Sequence, residues 1–393
     1  MRILYVSNER LNKKGGTPLR NGEIADELTK LGHKVYYMAP RFGFTKPEGK
    51  WNIPLLLIPV PPRCNFSFGL YEILSPLIVF FTVLFLRIDV VFNTATVSSA
   101  IQYKLCKLLR RRYVVEVNGV CDVEVETRGF GRFVKFVYKT MYKWVWRCAD
   151  YYICVSSGIK EELTSRWAPF GDRSVAIPNA VNEKKFYPMD KVMCRKKLDL
   201  PEDKFIIGFV GLLCPWHGVG DLVKATKILV DEGNKNFVTL IVGGGDMEEE
   251  LKKMIKDLSI QDYVQMTGRI SHELVPCYNS AFDLACQVHN DPVLGNLGNS
   301  MKVWEYLASG CALVVSDMSE ACKRVGPGLI GWKFTGADPN DLALKIRYAM
   351  EHPEECEIIG KANREYVMNG YRWKDIALKT ESILKGIEIE SEK

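Results

Sequence analysis

The sequence predicts an α/β protein made of two parallel-sheet units. Three observations carry this. Short apolar runs alternate with helix-length amphipathic segments along the whole chain, the pattern of strands joined by crossover helices. The chain opens with strand, Gly-bearing loop, helix and strand in about 38 residues, a βαβ unit. A charged, poorly periodic stretch from Glu183 to Lys204, broken by Pro188 and Pro201, then divides the 393 residues into two halves of ordinary domain size.

In the first half, Arg2 to Val6 is an apolar run with the length of a buried parallel strand, bounded by Ser7 and Asn8. Gly15 and Gly16 follow in a loop whose backbone N–H groups can approach an anion where the next helix begins. That helix is expected over Asn21–Leu31, stopped by Gly32, with a strand at Lys34–Met38. The glycine spacing is not G-x-G-x-x-G, so the dinucleotide fingerprint is absent. Trp51 to Val60 is a further apolar run. Ile73 to Leu86 is a nearly uncharged helix interrupted by Pro76, too short to span a bilayer and read as buried or interfacial. Strands are expected at Val90–Asn93 and Tyr113–Val117, with a helix over Ser98–Leu109 between them. The second of these strands delivers Asn118 to its C-terminal end, where doubly wound sheets place ligands; an ordinary turn before Gly119 is the other reading.

Arg128, Arg132, Lys135, Lys139, Lys143 and Arg147 recur in steps of three or four and so line one helical face. Phe133, Phe136, Val137, Trp144 and Trp146 interleave with them. Two readings stay open: a helix that packs aromatics on the sheet with its charges in water, or an amphipathic surface that sits on anionic lipid. A strand at Tyr151–Val155 and a helix over Gly158–Arg166, capped by Ser156 and Ser157, close this half.

The second half repeats the logic. Strands are expected at Phe205–Val210, Val238–Val242, Val264–Thr267, Leu284–Gln287, Leu313–Ser316 and Trp332–Phe334, with helices between them and three more to the end. Gly211 ends the first strand, and a loop through His217 and Gly218 follows. The stretch Asn299-Ser300-Met301-Lys302-Val303-Trp304-Glu305 reads as the start of a helix that stops at Gly310. Asn299 or Ser300 suits its N-cap, because a side-chain oxygen there accepts an unpaired backbone N–H. Lys302 and Glu305 share one face. Free N–H groups with a Lys can take a phosphate, and a carboxylate can take vicinal hydroxyls; a solvent-exposed ion pair on a capped helix is the alternative. Two such units put a cleft between them as the natural ligand site.

Composition narrows the function. Hydrophobic content of 47% and charged content of 25% are those of a soluble globular protein. A net charge of +6 is mild, no nucleic-acid-binding signature is present, and no nucleic-acid partner is expected. Twelve scattered cysteines and five histidines show no metal-ligand spacing, so no metal is expected and the thiols read as reduced core residues of a cytoplasmic protein.

Several motifs in order resemble the retaining glycosyltransferases of family 4. They are Gly15-Gly16 with Gly32-His33-Lys34-Val35, Val155-Ser156-Ser157, Ile177 to Asn182 with Phe186, Gly208 to Gly211 with Trp216-His217-Gly218, Gly243-Gly244-Gly245, and Ser300 to Gly310. The resemblance spans nearly the whole chain. It implies the GT-B fold, two facing Rossmann-like domains, here 1–184 with 371–393 packing back on it, and 185–370. It implies a nucleotide-sugar donor (UDP- or GDP-linked), a saccharide or lipid-linked saccharide acceptor, and no cofactor. By resemblance Glu305 holds the ribose hydroxyls, Lys302 and the N–H groups of Asn299, Ser300 and Met301 hold the diphosphate with Gly211 and His217, and Gly15 and Gly16 approach the phosphates. Asn118 stands where the family often has a His, and no protein nucleophile is assigned. Leu212, His217 and Leu297 replace an Arg, a Lys and a Glu that many members use for the donor, and Asn182 replaces an acidic residue. A GT-B nucleotide-sugar epimerase, with Glu116, Asp122 and His289 as its acid/base candidates, and a non-catalytic nucleotide-sugar-binding homologue are the alternatives. A peripheral position on the inner face of a membrane follows if the basic stripe meets lipid.

Overall fold

The computed structural model describes residues 1–9, 15–42, 53–61, 65–121, 123, 131–324, 326 and 328–386. The chain folds as two compact units, Met1–Asn179 together with Trp373–Lys393, and Ala180–Arg372.

The first unit is a seven-stranded sheet in the order β3-β2-β1-β4-β5-β6-β7. Its elements are β1 (Arg2–Val6), α1 (Gly16–Lys30), β2 (Lys34–Phe42), β3 (Leu55–Val60), α2 (Asn65–Phe85), β4 (Val90–Thr94), α3 (Ser99–Leu108), β5 (Arg112–Val117), α4 (Arg132–Val145), β6 (Tyr151–Cys154), α5 (Ser157–Arg166), the single turn α6 (Pro169–Asp172) and β7 (Ser174–Ala176). Every strand pairing is parallel. Central β1 pairs Ile3 with Val35 on one side and Val90 on the other, and Ile3 to Val6 are inaccessible to solvent. Burial on both faces is why these runs are apolar throughout rather than alternating.

Right-handed crossovers put α1 on one face of this sheet and α2, α3 and α4 side by side on the other. The C-terminal helix (Trp373–Lys385) packs against α1, and His33 Nε2 meets Glu381 Oε1 at 2.6 Å. Two helices start earlier than the sequence suggests. α1 begins at Gly16 because Pro18 falls in its first turn, where a missing N–H is harmless. α2 begins at Asn65, and Pro76 does not break it. Its first two turns look polar in the sequence because their polar groups turn inward and are satisfied there. Ser67 donates to the Pro61 carbonyl at 3.2 Å, Tyr71 to the Ser7 carbonyl at 2.6 Å, and Glu72 accepts from the Ser98 N–H at 2.8 Å. With 21 residues, α2 is long and apolar enough to cross a bilayer, which corrects the shorter segment expected.

The second unit is a six-stranded parallel sheet in the order β10-β9-β8-β11-β12-β13. It runs α7 (Lys191–Lys197), β8 (Phe205–Val210), α8 (Val219–Asp231), β9 (Phe237–Val242), α9 (Glu248–Asp257), β10 (Val264–Gly268), α10 (Val275–Ala281), β11 (Leu284–Gln287), α11 (Pro292–Leu297), α12 (Met301–Ala308), β12 (Ala312–Ser316), β13 (Gly331–Phe334), α13 (Pro339–Glu351) and α14 (Pro353–Met368). α7 lies in the stretch whose charge and prolines suggested an irregular connection. Asp190 caps it by accepting from the Met193 N–H at 2.8 Å, and buried Arg195 ties it to Asp283. The periodicity is lost because the helix has only seven residues.

Candidate active site

Strand order reverses between β8 and β11. The loops that leave their C-terminal ends therefore diverge and open a crevice, the ligand position of doubly wound sheets. The β8 loop carries Gly211 to Gly218, the β11 loop carries His289, and α12 begins beside them.

Glycines let these loops approach one another at backbone distance. A Cβ on Gly243 would lie 2.0 Å from the Gly211 carbonyl oxygen, and one on Gly245 2.2 Å from that of Leu213. Gly243 also sits at φ +130°, a region that L side chains rarely adopt. A Cβ on Gly211 would meet the Lys302 amine at 3.3 Å, so the β8 loop and the first turn of α12 share one wall.

Lys302 is the electrostatic centre of this wall. Its side chain is buried, its Nζ has no hydrogen-bond partner among the described residues, and it lies 4.2 Å from the centre of the Phe209 ring. Burial, opposed only partly by Cys214 and Glu305, lowers its pKa from 10.5 to about 7. A buried amine with no anionic partner among the described residues is suited to take one from a ligand. Two histidines share the surroundings. His217 and His289 meet edge to face at 5.4 Å, and burial plus the Lys302 charge push them down to about 3 and about 4. Both are neutral at pH 7. His217 Nδ1 donates to the Leu212 carbonyl at 2.7 Å and His289 Nδ1 to that of Trp216 at 3.1 Å, which leaves each Nε2 as an acceptor. The Nδ1–H that His217 would bring to a diphosphate is therefore spent on the backbone; Nε2 donates only once an anion draws a proton to it.

One turn along α12, Glu305 is also buried rather than on a solvent-exposed face. Its Oε1 is 3.3 Å from His272 Nε2, and Lys185 Nζ stands 2.6 Å from His272 Nδ1. The chain Lys185–His272–Glu305 holds one carboxylate oxygen and leaves Oε2 for a ligand. Sequence spacing gives no hint of this chain, because Lys185 and His272 come from two separate loops far from Glu305 in sequence.

The N-cap of α12 is Ser300, but its hydroxyl makes no capping bond. Asn299 does not cap either: its Oδ1 accepts from the Trp304 indole at 2.9 Å and its Nδ2 reaches Glu320 at 3.4 Å. The expected side-chain cap is thus absent, and the N–H groups of Met301 and Lys302 remain for an anion. The structure brings Gly211, His217, Asn299, Ser300, Met301, Lys302 and Glu305 together at one end of the second sheet.

The remaining residues lie on the first unit. Gly15, at φ +151°, precedes α1 with no side-chain cap, and Gly16 is its first residue. Asn118 directly follows the end of β5, and its Nδ2 is buried with no partner among the described residues. Below it Glu116 is inaccessible, bound by Arg20 and by the Tyr5 hydroxyl at 2.7 Å. Arg20 also donates to the carbonyls of Ile177 and Pro178. Glu116 is therefore a structural anion rather than the acid/base group that an epimerase would need; Asp122 lies outside the described residues. Arg132, Lys135, Lys139 and Lys143 lie on α4, Arg147 follows it, and Arg128 is outside the described residues.

Comparison with known proteins closes the argument. The model of the glycosyl transferases group 1 family matches residues 191–366, and that of glycosyltransferase family 4 matches residues 14–185. The chain belongs to the family 4, group 1 glycosyltransferases. An uncharacterized glycosyltransferase of Methanocaldococcus jannaschii is 22% identical over 67% of this chain and 66% of its own length. The GDP-mannose-dependent alpha-(1-6)-phosphatidylinositol monomannoside mannosyltransferase of Mycobacterium tuberculosis is 24% identical over 59% of this chain and 60% of its own length. These matches span less than two thirds of either relative. Among solved structures, sucrose-phosphate synthase of Thermosynechococcus elongatus superposes with a TM-score of 0.78 at 18% identity, over 98% of both chains. Anabaena HepE in complex with UDP superposes with a TM-score of 0.77 at 17% identity, over 98% of this glycosyltransferase and 100% of its own chain. At these identities the likeness establishes the GT-B fold.

Proposed function

We propose that this glycosyltransferase moves a sugar, with retention of anomeric configuration, from a UDP- or GDP-linked donor to a saccharide or lipid-linked saccharide. The single observation that carries the reading is the buried, unpartnered Lys302 amine at the uncapped start of α12. Lys302, the Met301 N–H and its own N–H take the diphosphate, and Glu305 Oε2 takes the ribose hydroxyls. As the sugar leaves, the diphosphate gains charge, and preorganised donors facing it lower the barrier. Proton uptake by His217 would add a further donor at that moment. Asn118, just after β5, offers an amide donor suited to a sugar hydroxyl. The family resemblance supports same-face substitution without a protein nucleophile. The UDP and UDP-glucose complexes of HepE, and the GDP-mannose dependence of the mycobacterial relative, support the donor class.

The test is a thermal-shift screen of nucleotide sugars followed by donor hydrolysis and transfer assays. A ligand at about 100 times its dissociation constant adds roughly 2.7 kcal/mol to stability. Wild-type protein should bind and turn over a UDP- or GDP-sugar, and Lys302→Ala and Glu305→Ala should bind it more weakly and lose turnover. Binding without turnover would favour a non-catalytic homologue; no binding of any nucleotide sugar would overturn the reading.

A further inference from the structure

α2 is built inside out. Its inward side carries Ser67, Tyr71 and Ser75, which bond to the Pro61 carbonyl, the Ser7 carbonyl and the Ser98 hydroxyl. Its outward side carries Ile73, Leu77, Phe81, Leu84 and Phe85, between 49% and 74% exposed. These positions repeat every three or four residues, so they form one continuous stripe, along which Phe81 and Phe85 stack at 6.0 Å. Only 28% of this strongly apolar segment is buried. A helix belonging to a soluble core would show the reverse.

The stripe continues across the layer. α3 packs against α2 and presents Ile101 and Leu108, 54% and 73% exposed. α4 packs against α3 and presents Phe136 and Trp144, 67% and 60% exposed. Exposed apolar surface on three adjacent helices exceeds the scattered single residues normal for a protein surface.

Charge identifies what covers this face. α3 and α4 contain no Asp or Glu, and the single carboxylate of α2, Glu72, faces inward to the Ser98 N–H. Against this stand Lys104 on α3 and Arg132, Lys135, Lys139 and Lys143 on α4, while Lys107 on α3 is paired with Asp150 at 2.9 Å. Helices that cross over between parallel strands run the same way, so their C-terminal ends meet at one edge of the layer. There each is followed within two residues by an exposed arginine: Arg87 after α2, Arg110 after α3 and Arg147 after α4. An apolar plane rimmed by cations on one edge matches a bilayer surface, with acyl chains for the stripe and anionic headgroups for the rim.

We propose that the outer face of α2, α3 and α4 docks onto an anionic lipid bilayer, with α2 lying in the interface rather than spanning it. Spanning would strip Ser67, Tyr71 and Ser75 of their partners and place them in hydrocarbon. The proposal does not depend on the glycosyl-transfer reading, because no residue of the candidate active site takes part.

The experiment is co-sedimentation of the full chain with phosphatidylcholine vesicles, with and without phosphatidylglycerol, at low and high salt. Binding should need both surfaces. Phe81→Ser with Phe85→Ser should weaken it by on the order of 100-fold. Lys139→Glu and Lys143→Glu should each weaken it about fivefold on anionic vesicles and abolish its salt sensitivity in part. All four positions lie on the outer face, so circular dichroism and melting should be unchanged. Lys302→Ala should bind vesicles like the wild type even if nucleotide binding is lost, which separates this proposal from the catalytic one. An alkaline carbonate wash should release the protein. Retention through that wash would mean a spanning helix and would overturn the proposal. So would equal binding to neutral and anionic vesicles, or a dimer seen by light scattering that Phe81→Ser dissociates while vesicles go unbound.

Discussion

Replacing Lys302 by Met should make the unliganded protein more stable and nucleotide binding weaker. The two effects have one cause. A fall in pKa from 10.5 to about 7 corresponds to about 5 kcal/mol of penalty on the charged amine, an upper bound for what Met can recover. The folded pKa lies below the unfolded one, so between about pH 7 and about pH 10.5 the unfolded chain binds more protons and stability rises with pH. The penalty is fully present below about pH 7 and fades toward pH 10.5. Lys302→Met should therefore gain most at about pH 6 and least at about pH 10. A bound diphosphate restores the charged form, so binding takes up close to one proton in the same window. The dissociation constant of UDP or GDP should then rise about tenfold for each pH unit above about pH 7, or 1.4 kcal/mol per unit. Calorimetry in two buffers of different ionisation enthalpy, repeated from about pH 6.5 to about pH 8.5, reads both the uptake and the slope. A pH-independent affinity, or a Met variant that binds the nucleotide as tightly as wild type, would refute the reasoning.

Three further outcomes follow from the geometry. Glu305→Ala should weaken UDP by about 10- to 100-fold, the value of a hydrogen bond to a charged group, and leave 2′,3′-dideoxy-UDP unaffected; equal losses for both would remove Glu305 from the ribose. Gly243→Ala places a Cβ 2.0 Å from the Gly211 oxygen at a φ of +130°, and should cost at least about 2 kcal/mol of stability, read as a lower melting temperature. Glu116→Gln leaves the Arg20 charge buried without its anion and should cost about 3–5 kcal/mol, measured by urea unfolding; a cost under 1 kcal/mol would mean that water reaches Arg20.

Much of the sheet architecture was legible because parallel strands buried on both faces leave unmistakable apolar runs, as in Ile3 to Val6 and Leu313 to Val315. The helix that starts α12 was legible too, but not its environment. Sequence spacing places Lys302 and Glu305 on one face and cannot say that the face is buried, since burial depends on β8 and the loop carrying His272. The misread boundaries have local causes. α7 is too short to show a period, and the opening turns of α2 hide their polar side chains inside. The bonds that commit His217 Nδ1 to the Leu212 carbonyl and Asn299 Oδ1 to the Trp304 indole are ones that no residue type announces.

The C-terminal helix has a consequence for how the chain is made. It completes the first unit, burying Trp373, Ile376, Ile383 and Leu384, yet it is synthesised only after the whole second unit. Val181 and Arg372, at the two ends of the second unit, pair side by side, so that unit is topologically an insertion whose sequence is finished when Arg372 emerges. On the ribosome the second unit can reach its native state while the first still waits, with the α1 surface uncovered. A nascent chain stalled before Trp373 would hold a finished second unit and an incomplete first one, and a stop codon there would damage the unit whose synthesis began earlier.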